Sequence, residues 1–476
     1  MADKKDKAQL VIIGAGPGGY AAAFHANDLG LDVTLIDPRE NPGGVCLYEG
    51  CIPTKALLHF AGVKEEAFRA KDWGLDFSNV SVDVKKVREW KEKVVKQLTG
   101  GLGQLSKRRK INYIRGTAKF KDKNTLEVDE HKGGKKELKF ESALIATGAS
   151  ANALPGVDFD HKRIMNARSA LELQDAPGEL LVVGAGYIGL EMSVIYKALG
   201  SNITIVEMTS DIMPGIDKDL KDVFKKERKD LMDDALFETK VSDVKKNKKK
   251  LKVTLETKDG DKSEKEFDKI LIAIGQKPNS EKIGLDKAGV ETDEQGFIKV
   301  DIVRKTNVDN IYAIGDVAGQ PMLAHKASHE GRVAAEAIAG EKTAFEPKAI
   351  PAVVFTEPEI AWTGLTEAEA KEQGREVEVA KFPWAASGKA VAMGRTQGLT
   401  KLIIDPKNDR LLGAGFVGKE AGSLVSEATL AIEMAANAKD LALTIHPHPT
   451  LSETIMEAAE VYFGEPTHIY KPKRKK

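Results

Sequence analysis

Cys46 and Cys51 are the only cysteines of a 476-residue chain, and they stand five positions apart in Gly43-Gly44-Val45-Cys46-Leu47-Tyr48-Glu49-Gly50-Cys51-Ile52-Pro53-Thr54-Lys55. A chain of this length buries a large core without a covalent staple, and a disulfide closing so short a loop adds about 3 kcal/mol at most. Tetrahedral zinc needs four ligands, and no second cysteine pair or nearby histidine pair completes the set. Two ordinary small core residues are the remaining alternative. Thiol chemistry is the reading that uses both sulfurs together. A second reactive stretch, His446-Pro447-His448-Pro449-Thr450-Leu451-Ser452-Glu453, frames two histidines with prolines and places an acid five residues after the second. Imidazole changes charge near neutrality, which suits it to moving protons to and from sulfur.

Such groups need a scaffold, and one design occurs twice. Gln9 to Ile13 leads into Gly14-Ala15-Gly16-Pro17-Gly18-Gly19, and Leu180 to Val183 leads into Gly184-Ala185-Gly186-Tyr187-Ile188-Gly189. Each pattern predicts a β-branched strand, a glycine turn and a helix ending at Leu29-Gly30 or Leu199-Gly200. A second strand then closes on an acid, Asp37 or Glu207. One G-x-G-x-x-G is a weak signal, but two inside complete βαβ units with terminal acids are a strong sign of dinucleotide binding. The first glycine allows the tight turn, the second lets a pyrophosphate approach the backbone, and the third lets helix pack on strand. Phosphates then meet the N–H groups and positive dipole of a helix N-terminus. The acid accepts from ribose hydroxyls, and Glu207 would repel a 2′-phosphate, favouring NAD over NADP.

Further along, Ala143 to Gly148 and Ile270 to Gly275 read as strand ends closing each region. Asn310 to Asp316 reads as a strand carrying another acid, followed by a helix opening near Met322-Leu323-Ala324. Since the second unit is already complete, that strand looks like a return to the first nucleotide site. From Ile350, strand-like runs (Val353 to Phe355, Thr400 to Asp405, Leu411 to Val417) alternate with an apolar helix, Ser423 to Ala436, as in an α+β domain. The fold expected is therefore α/β, with two Rossmann-like domains and an α+β C-terminal domain, bounded at 1–149, 150–279, 280–349 and 350–476.

Lys and Arg (72) balance Asp and Glu (72), so no global field draws the chain to nucleic acid or an anionic membrane. The basic runs Lys245 to Lys250 and Lys473 to Lys476 read as a solvated hairpin tip and a tail. No apolar run reaches the roughly 18 residues of a membrane span. The opening Met-Ala-Asp-Lys-Lys-Asp-Lys leaves no room for a signal peptide before the first strand. A soluble cytoplasmic protein is expected, in a compartment where a cysteine pair is more often catalytic than structural.

Taken in order, the two nucleotide loops, the C-x4-C pair, the Gly315-Asp316 strand end and the His446-to-Glu453 stretch resemble the FAD-dependent pyridine nucleotide-disulfide oxidoreductases, in particular their lipoyl-oxidising branch, along essentially the whole chain. The resemblance implies tight, non-covalent FAD on Gly14, Gly16, Gly19 and Asp37, with Pro38, Gly43, Gly44 and Val45 running toward the flavin. It places Ala118 at the adenine end, Thr147 and Gly148 along the cofactor, and Asp316 at the ribitol and pyrophosphate. Met322, Leu323 and Ala324 would aim a helix N-terminus at the flavin's pyrimidine edge, where negative charge grows on reduction. NAD would lie on Gly184, Ala185, Gly186, Tyr187, Ile188, Gly189 and Glu207, bordered by Val241, Ala273, Gly275 and Gln276. No metal is implied.

The same resemblance makes Cys46 the interchange thiol facing substrate and Cys51 the sulfur against the flavin. A helix beginning around Pro53, with Lys55, would help Cys51 ionise. Lys55 would sit by the flavin and pair with Glu191. His448 would be the general acid/base, oriented by Glu453, with His446 lining the substrate channel. The histidine of one subunit serves the cysteines of the other in this family, so a homodimer is expected. Dihydrolipoamide oxidation by NAD follows, with the lipoyl-bearing acyltransferase core of a 2-oxo acid dehydrogenase complex, or the glycine cleavage lipoyl carrier, as partner.

Asp37, Tyr48 and Gln276 depart from the commonest pattern, where Glu, Asn and Arg stand; none is a reacting group. Mercuric reductase and high-molecular-weight thioredoxin reductase would need a C-terminal cysteine pair, and soluble transhydrogenases lack one active-site cysteine. Glutathione reductase wants an arginine-marked NADPH site, which Glu207 opposes. A non-catalytic assembly subunit is the alternative from another class.

Overall fold

The computed structural model describes residues 7–78 and 80–470. The basic tail Lys473 to Lys476 lies outside them. The chain divides into two units: one holds the residues up to Leu57 with Ser81–Asp175 and Ile274–Glu346, and the other holds Leu58–Val80, Ala176–Ala273 and Pro347 onward. Among the described residues no helix is long and apolar enough to cross a membrane.

In the first unit, strand Lys7–Ile13 runs parallel between Val33–Asp37 and Gly134–Ile145. Asn112–Asp122 lies parallel beyond Val33–Asp37, and Ile311–Ala313 lies parallel beyond Gly134–Ile145. The acid-bearing strand thus does return to the first sheet. The long strands Asn112–Asp122 and Gly134–Ile145 continue past the parallel region and pair antiparallel with Thr125–Glu130. Leu10, Val11, Ile12, Leu35 and Leu144 are wholly buried, because a parallel sheet is covered on both faces and favours unbroken apolar runs. Helix Pro17–Asp28 packs on helix Ala324–Ile338 through glycines. A Cβ on Gly18 would stand 2.9 Å from Ala327 O, and one on Gly331 would stand 2.6 Å from Gly18 O.

In the second unit, Glu179–Val183 lies parallel between Asn202–Val206 and Lys269–Ile272. An antiparallel meander follows, Thr239–Lys246, Leu251–Thr257 and Lys262–Phe267. Lys245 to Lys249 are exposed at its first turn, the hairpin tip the sequence predicts. The C-terminal part is a five-stranded antiparallel sheet ordered Ala352–Val354, Glu359–Gly364, Leu411–Gly418, Leu399–Ile404, Glu378–Pro383. Trp384 is fully buried in it, its Nε1–H donating to Thr400 Oγ1 (2.9 Å), and Thr400 Oγ1 in turn meets Thr454 Oγ1 (2.7 Å). That chain of bonds seats the start of helix Glu453–Phe463.

The single helix expected over Ser423 to Ala436 is shorter: a 3₁₀ turn Ala421–Ser423 precedes a helix Val425–Glu433. Ala435 is left-handed (φ +55°), because the chain must turn into a second helix, Ala438–Leu443, whose first N–H groups are capped by Asn437. Lys401, 1 % exposed, is ion-paired with Asp217 (2.7 Å), Asp219 (2.9 Å) and Glu367 (2.5 Å). The three carboxylates lie close enough to hold a metal ion, but the lysine's own ammonium stands among them.

Candidate active site and nucleotide sites

Cys46 lies in the short helix Gly44–Glu49, and Cys51 opens the helix Cys51–Arg69. The two sulfurs are thiols, not joined in a disulfide. The helix starts two residues before the predicted Pro53. Proline lacks only an N–H that a first helical turn leaves unpaired anyway, so the cysteine itself sits at the positive helix end. Gly50 makes the junction possible, since a Cβ there would stand 3.0 Å from Val45 O and 3.3 Å from Cys46 Cα. The Cys46 thiol is pushed up, first by its hydrogen bond with Cys51, then by burial and the Cys51 charge, while Lys55 pulls the other way. Two adjacent sulfurs cannot both ionise easily, so the pair favours one charge shared through an S–H···S contact.

The loop carrying these sulfurs is braced from outside and seated from below. Glu49 accepts from Arg39 (2.8 Å) and pairs with Arg168 (2.8 Å), and Tyr48 Oη donates to Asn41 O (3.1 Å), with the Arg39 guanidinium over its ring. Gly44, at φ +57°, rests on the nucleotide loop: a Cβ would lie 2.4 Å from Gly16 Cα. The Gly43 N–H donates to Ala15 O (2.8 Å). Val45 is 48 % exposed beside Cys46.

In the first nucleotide loop Gly14 is left-handed (φ +99°) and Gly19 has no room for a side chain, its Cβ falling 1.9 Å from Gly14 O. At Gly16 only Gly44 Cα, 3.9 Å away, would be met, which leaves the open approach a pyrophosphate needs. Asp37, buried, accepts from Ala15 N–H and Arg39 N–H (both 2.9 Å). The Pro38 carbonyl accepts from Arg115 (3.2 Å). Ala118 is buried in strand Asn112–Asp122, opposite Val128. Thr147 and Asn279 clasp each other, Thr147 Oγ1 donating to Asn279 O (3.0 Å) and Asn279 Nδ2 to Thr147 O (2.9 Å), and Gly148 O accepts from Asn279 N–H (2.9 Å). Gly275, at φ +94°, accepts from Asn152 N–H (3.0 Å). Asp316 lies in the 3₁₀ turn Gly315–Val317; burial pushes its carboxyl up, with Lys326 opposing and Glu330 adding to the rise. Leu323 occupies the position before helix Ala324–Ile338 and gives it no side-chain cap, and Met322 N–H donates to Gln320 Oε1 (3.2 Å) just ahead of it.

In the second unit Gly184 is left-handed (φ +103°), a Cβ on Gly189 would fall 2.0 Å from Gly184 O, and one on Gly186 would meet nothing within 4 Å. Glu207, half-buried, accepts from Ala185 N–H (2.8 Å) and Thr209 N–H (2.9 Å). Tyr187 is exposed and Ile188 half-buried at the helix start. Val241 is half-buried beside an irregularity in strand Thr239–Lys246, and Ala273 N–H donates to Val183 O (2.8 Å). Glu191, 3 % exposed, accepts from Phe355 N–H (2.9 Å).

His448 Nδ1 is hydrogen-bonded to Glu453 Oε1 (2.9 Å), and its side chain is largely exposed. Glu453 Oε2 accepts from Thr450 N–H (2.6 Å). Burial pushes the Glu453 carboxyl up, but the Thr450 N–H and the two histidines outweigh it and hold it low. The imidazole is thus steered by a fixed anion and keeps Nε2 outward. The His446 ring is enclosed, with Nδ1 on Thr444 O (2.9 Å) and Nε2 on Glu427 (2.9 Å), so its own neighbours in this chain hold both nitrogens. The sequence reading also missed Glu330, whose signal was its i,i+4 spacing from Lys326 on an alanine-rich helix.

The family described as pyridine nucleotide-disulphide oxidoreductase matches residues 8–331, and that family's dimerisation domain matches residues 350–459. The dihydrolipoyl dehydrogenase of Vibrio cholerae is 49% identical over 473 residues, 99% of each chain. Those of Haemophilus influenzae (47% over 472 residues; 99% of this chain, 98% of that one) and Haloferax volcanii (44% over 464; 97% of each) are also similar. Among solved structures, LpdA from Mycobacterium tuberculosis matches with a TM-score of 0.88 at 25% identity, covering 96% of this chain and 99% of its own. The HOCl-induced flavoprotein disulfide reductase RclA from Escherichia coli matches at 0.83 and 28%, covering 94% and 98%.

Proposed function

Because the chain belongs to the pyridine nucleotide-disulphide oxidoreductase family, we propose that it oxidises protein-bound dihydrolipoyl groups and passes the electrons to NAD. The carrying observation is the thiol pair Cys46 and Cys51 on a loop whose Gly44 rests on Gly16 of a dinucleotide loop. The open approaches at Gly16 and Gly186 and the acid-anchored turns support the fit of FAD to the first loop and NAD to the second. Bound FAD supplies a two-electron carrier between the dithiol and NAD.

The first substrate thiol loses its proton to His448 Nε2, since Nδ1 is committed to Glu453. The resulting thiolate attacks the Cys46 sulfur of the oxidised pair, the Cys46–Cys51 bond breaks, and Cys51 leaves as thiolate. The second substrate thiol then closes on the first substrate sulfur, forming the lipoyl disulfide and releasing Cys46, which takes up a proton. The upward push on the Cys46 thiol supports this division, with the proton on Cys46 and the charge on Cys51 at the helix N-terminus. Lys55 and Glu191 are assigned to the flavin's reacting end, and Asp316 with Met322 to Ala324 to its sugar-phosphate and pyrimidine edge.

The segments 1–149, 150–279, 280–349 and 350–476 are assigned as FAD, NAD, central and interface domains. Leu430, Met434, Leu443 and Ile445 are all more than half exposed within the segment matched by the dimerisation domain, which supports a homodimer in which His448 serves the other copy's cysteines. A cytoplasmic setting and docking on a lipoyl-bearing acyltransferase core, or on the glycine cleavage lipoyl carrier, complete the reading.

Anaerobic dihydrolipoamide should raise a long-wavelength absorption band and, with NAD added, yield NADH. Cys46→Ser should abolish turnover and keep the band, whereas Cys51→Ser should lose both. A band that survives in Cys51→Ser would overturn the division of roles.

A further inference from the structure

Glu330 is wholly buried in helix Ala324–Ile338, and its side-chain contacts lead to the turn that carries Asp316. Its Oε2 accepts from the Gly315 N–H (2.7 Å), the residue immediately before Asp316. Its Oε1 accepts from Arg304 (2.7 Å) and pairs with Lys326 (3.0 Å). Lys326, itself buried, reaches back to Gly319 O (3.1 Å), just past the other end of the same turn. The turn is therefore gripped at both ends by one ion pair.

The grip is maintained at a cost, which argues against an incidental packing contact. Arg304 is held at φ +67°, a backbone region that disfavours a long side chain, and among the described residues its buried Nε–H has no partner. A buried carboxylate facing two cations is offset only by such complete pairing. Counting formal charges, Glu330 and Asp316 balance Arg304 and Lys326, so the cluster is neutral only while Asp316 is ionised. Burial of Asp316 opposes that ionisation and the Lys326 charge favours it.

We propose that Glu330 is a positioning residue for the FAD site, setting the direction and the charge of Asp316 through the Gly315 N–H and through Lys326. This rests on the reading that Asp316 binds the ribitol and pyrophosphate region of FAD. Glu330 itself touches no cofactor; it acts through its neighbour. Removing its charge frees Lys326 to fold onto Asp316, drawing the carboxylate away from the ligand.

A double-mutant cycle on FAD affinity tests this, measured by titrating the apo forms with FAD and following flavin fluorescence. Asp316→Asn alone should weaken FAD; if it does not, the reading of Asp316 fails. Glu330→Gln should weaken FAD by about fivefold in the native background and by less than about twofold in the Asp316→Asn background. Equal losses in both backgrounds, the result expected of a merely structural role, would overturn the proposal. Should the apo form of Glu330→Gln not survive, FAD release is timed from holo Arg304→Lys, which keeps the charge and alters the donor fork. The release should quicken only when Asp316 is present, and quickening in both backgrounds would equally overturn the proposal.

Discussion

The two nucleotide loops are built alike to within a few degrees and tenths of an ångström, and each leaves its middle glycine open to a phosphate, yet the flanks of the first are closed in by packed chain and those of the second are more exposed. Gly14 and Gly184 share a left-handed φ (+99° and +103°), and their N–H groups donate to Ile36 O and Val206 O at the same 2.8 Å. Gly19 and Gly189 are equally crowded by the preceding turn, and Asp37 and Glu207 each accept from the alanine between the glycines. Closure separates them. Gly44 lies on Gly16, the helix Ala324–Ile338 is pressed against Gly18, and Asp37 is buried. In the second loop, Ile188 stands where Gly18 does in the first, Tyr187 is exposed, and Glu207 is only half-buried. On the proposed assignment, one βαβ unit serves a retained cofactor or an exchanging one according to what is packed over it.

The largest effect should come from closing chemistry that has no slack. Gly44→Ala places a Cβ against backbone in a left-handed residue, so a cost of about 3 kcal/mol or more is expected, and the purified protein should be depleted of flavin by its absorbance. Gly186→Ala is the opposite case, since its Cβ meets no protein atom. It should keep its flavin and raise the KM for NAD about tenfold by obstructing the pyrophosphate. Equal flavin loss in both variants would erase the distinction between the loops.

A smaller change is expected at the acids. Glu207→Ala should reduce the preference for NADH over NADPH about fivefold, by removing a carboxylate that repels a 2′-phosphate. Asp316→Asn should have the smallest effect on stability, raising the melting temperature of the FAD-free chain by about 1–2 °C at neutral pH. Burial raises the folded-state value of that carboxyl, so its favourable contribution exists below the ordinary carboxylate range and is lost as pH rises through the raised value. The gain from Asn should therefore shrink when melting is repeated near pH 4, roughly the unperturbed Asp value.

What could be read in advance follows the range of the interactions. Glycine loops, strand-closing acids and the cysteine spacing are local, and Gly14 to Asp37 and Gly184 to Glu207 were legible with their strand ends. The return of Ile311–Ala313 to the first sheet was legible too, because Asp316 had no other unit to complete. Contacts between distant residues were not: Gly44 on Gly16, Glu330 on Gly315, and Lys401 among three acids leave no mark in spacing. The enclosure of His446 by Glu427 escaped for the same reason. The early helix start at Cys51 was hidden by Pro53, which marks a first turn without saying which of its positions it occupies. Nor did any composition change announce that Leu58–Val80 belongs with the second unit.

A cofactor kept and a cofactor exchanged are the two halves of the proposed electron path, and one measurement addresses both. The protein is saturated with FAD and NAD, passed through a desalting column, and the nucleotides remaining per chain are quantified after denaturation. Near-complete retention of FAD with loss of NAD is predicted. Loss of both, or retention of both, would contradict the difference between the loop with closed flanks and the loop with exposed ones.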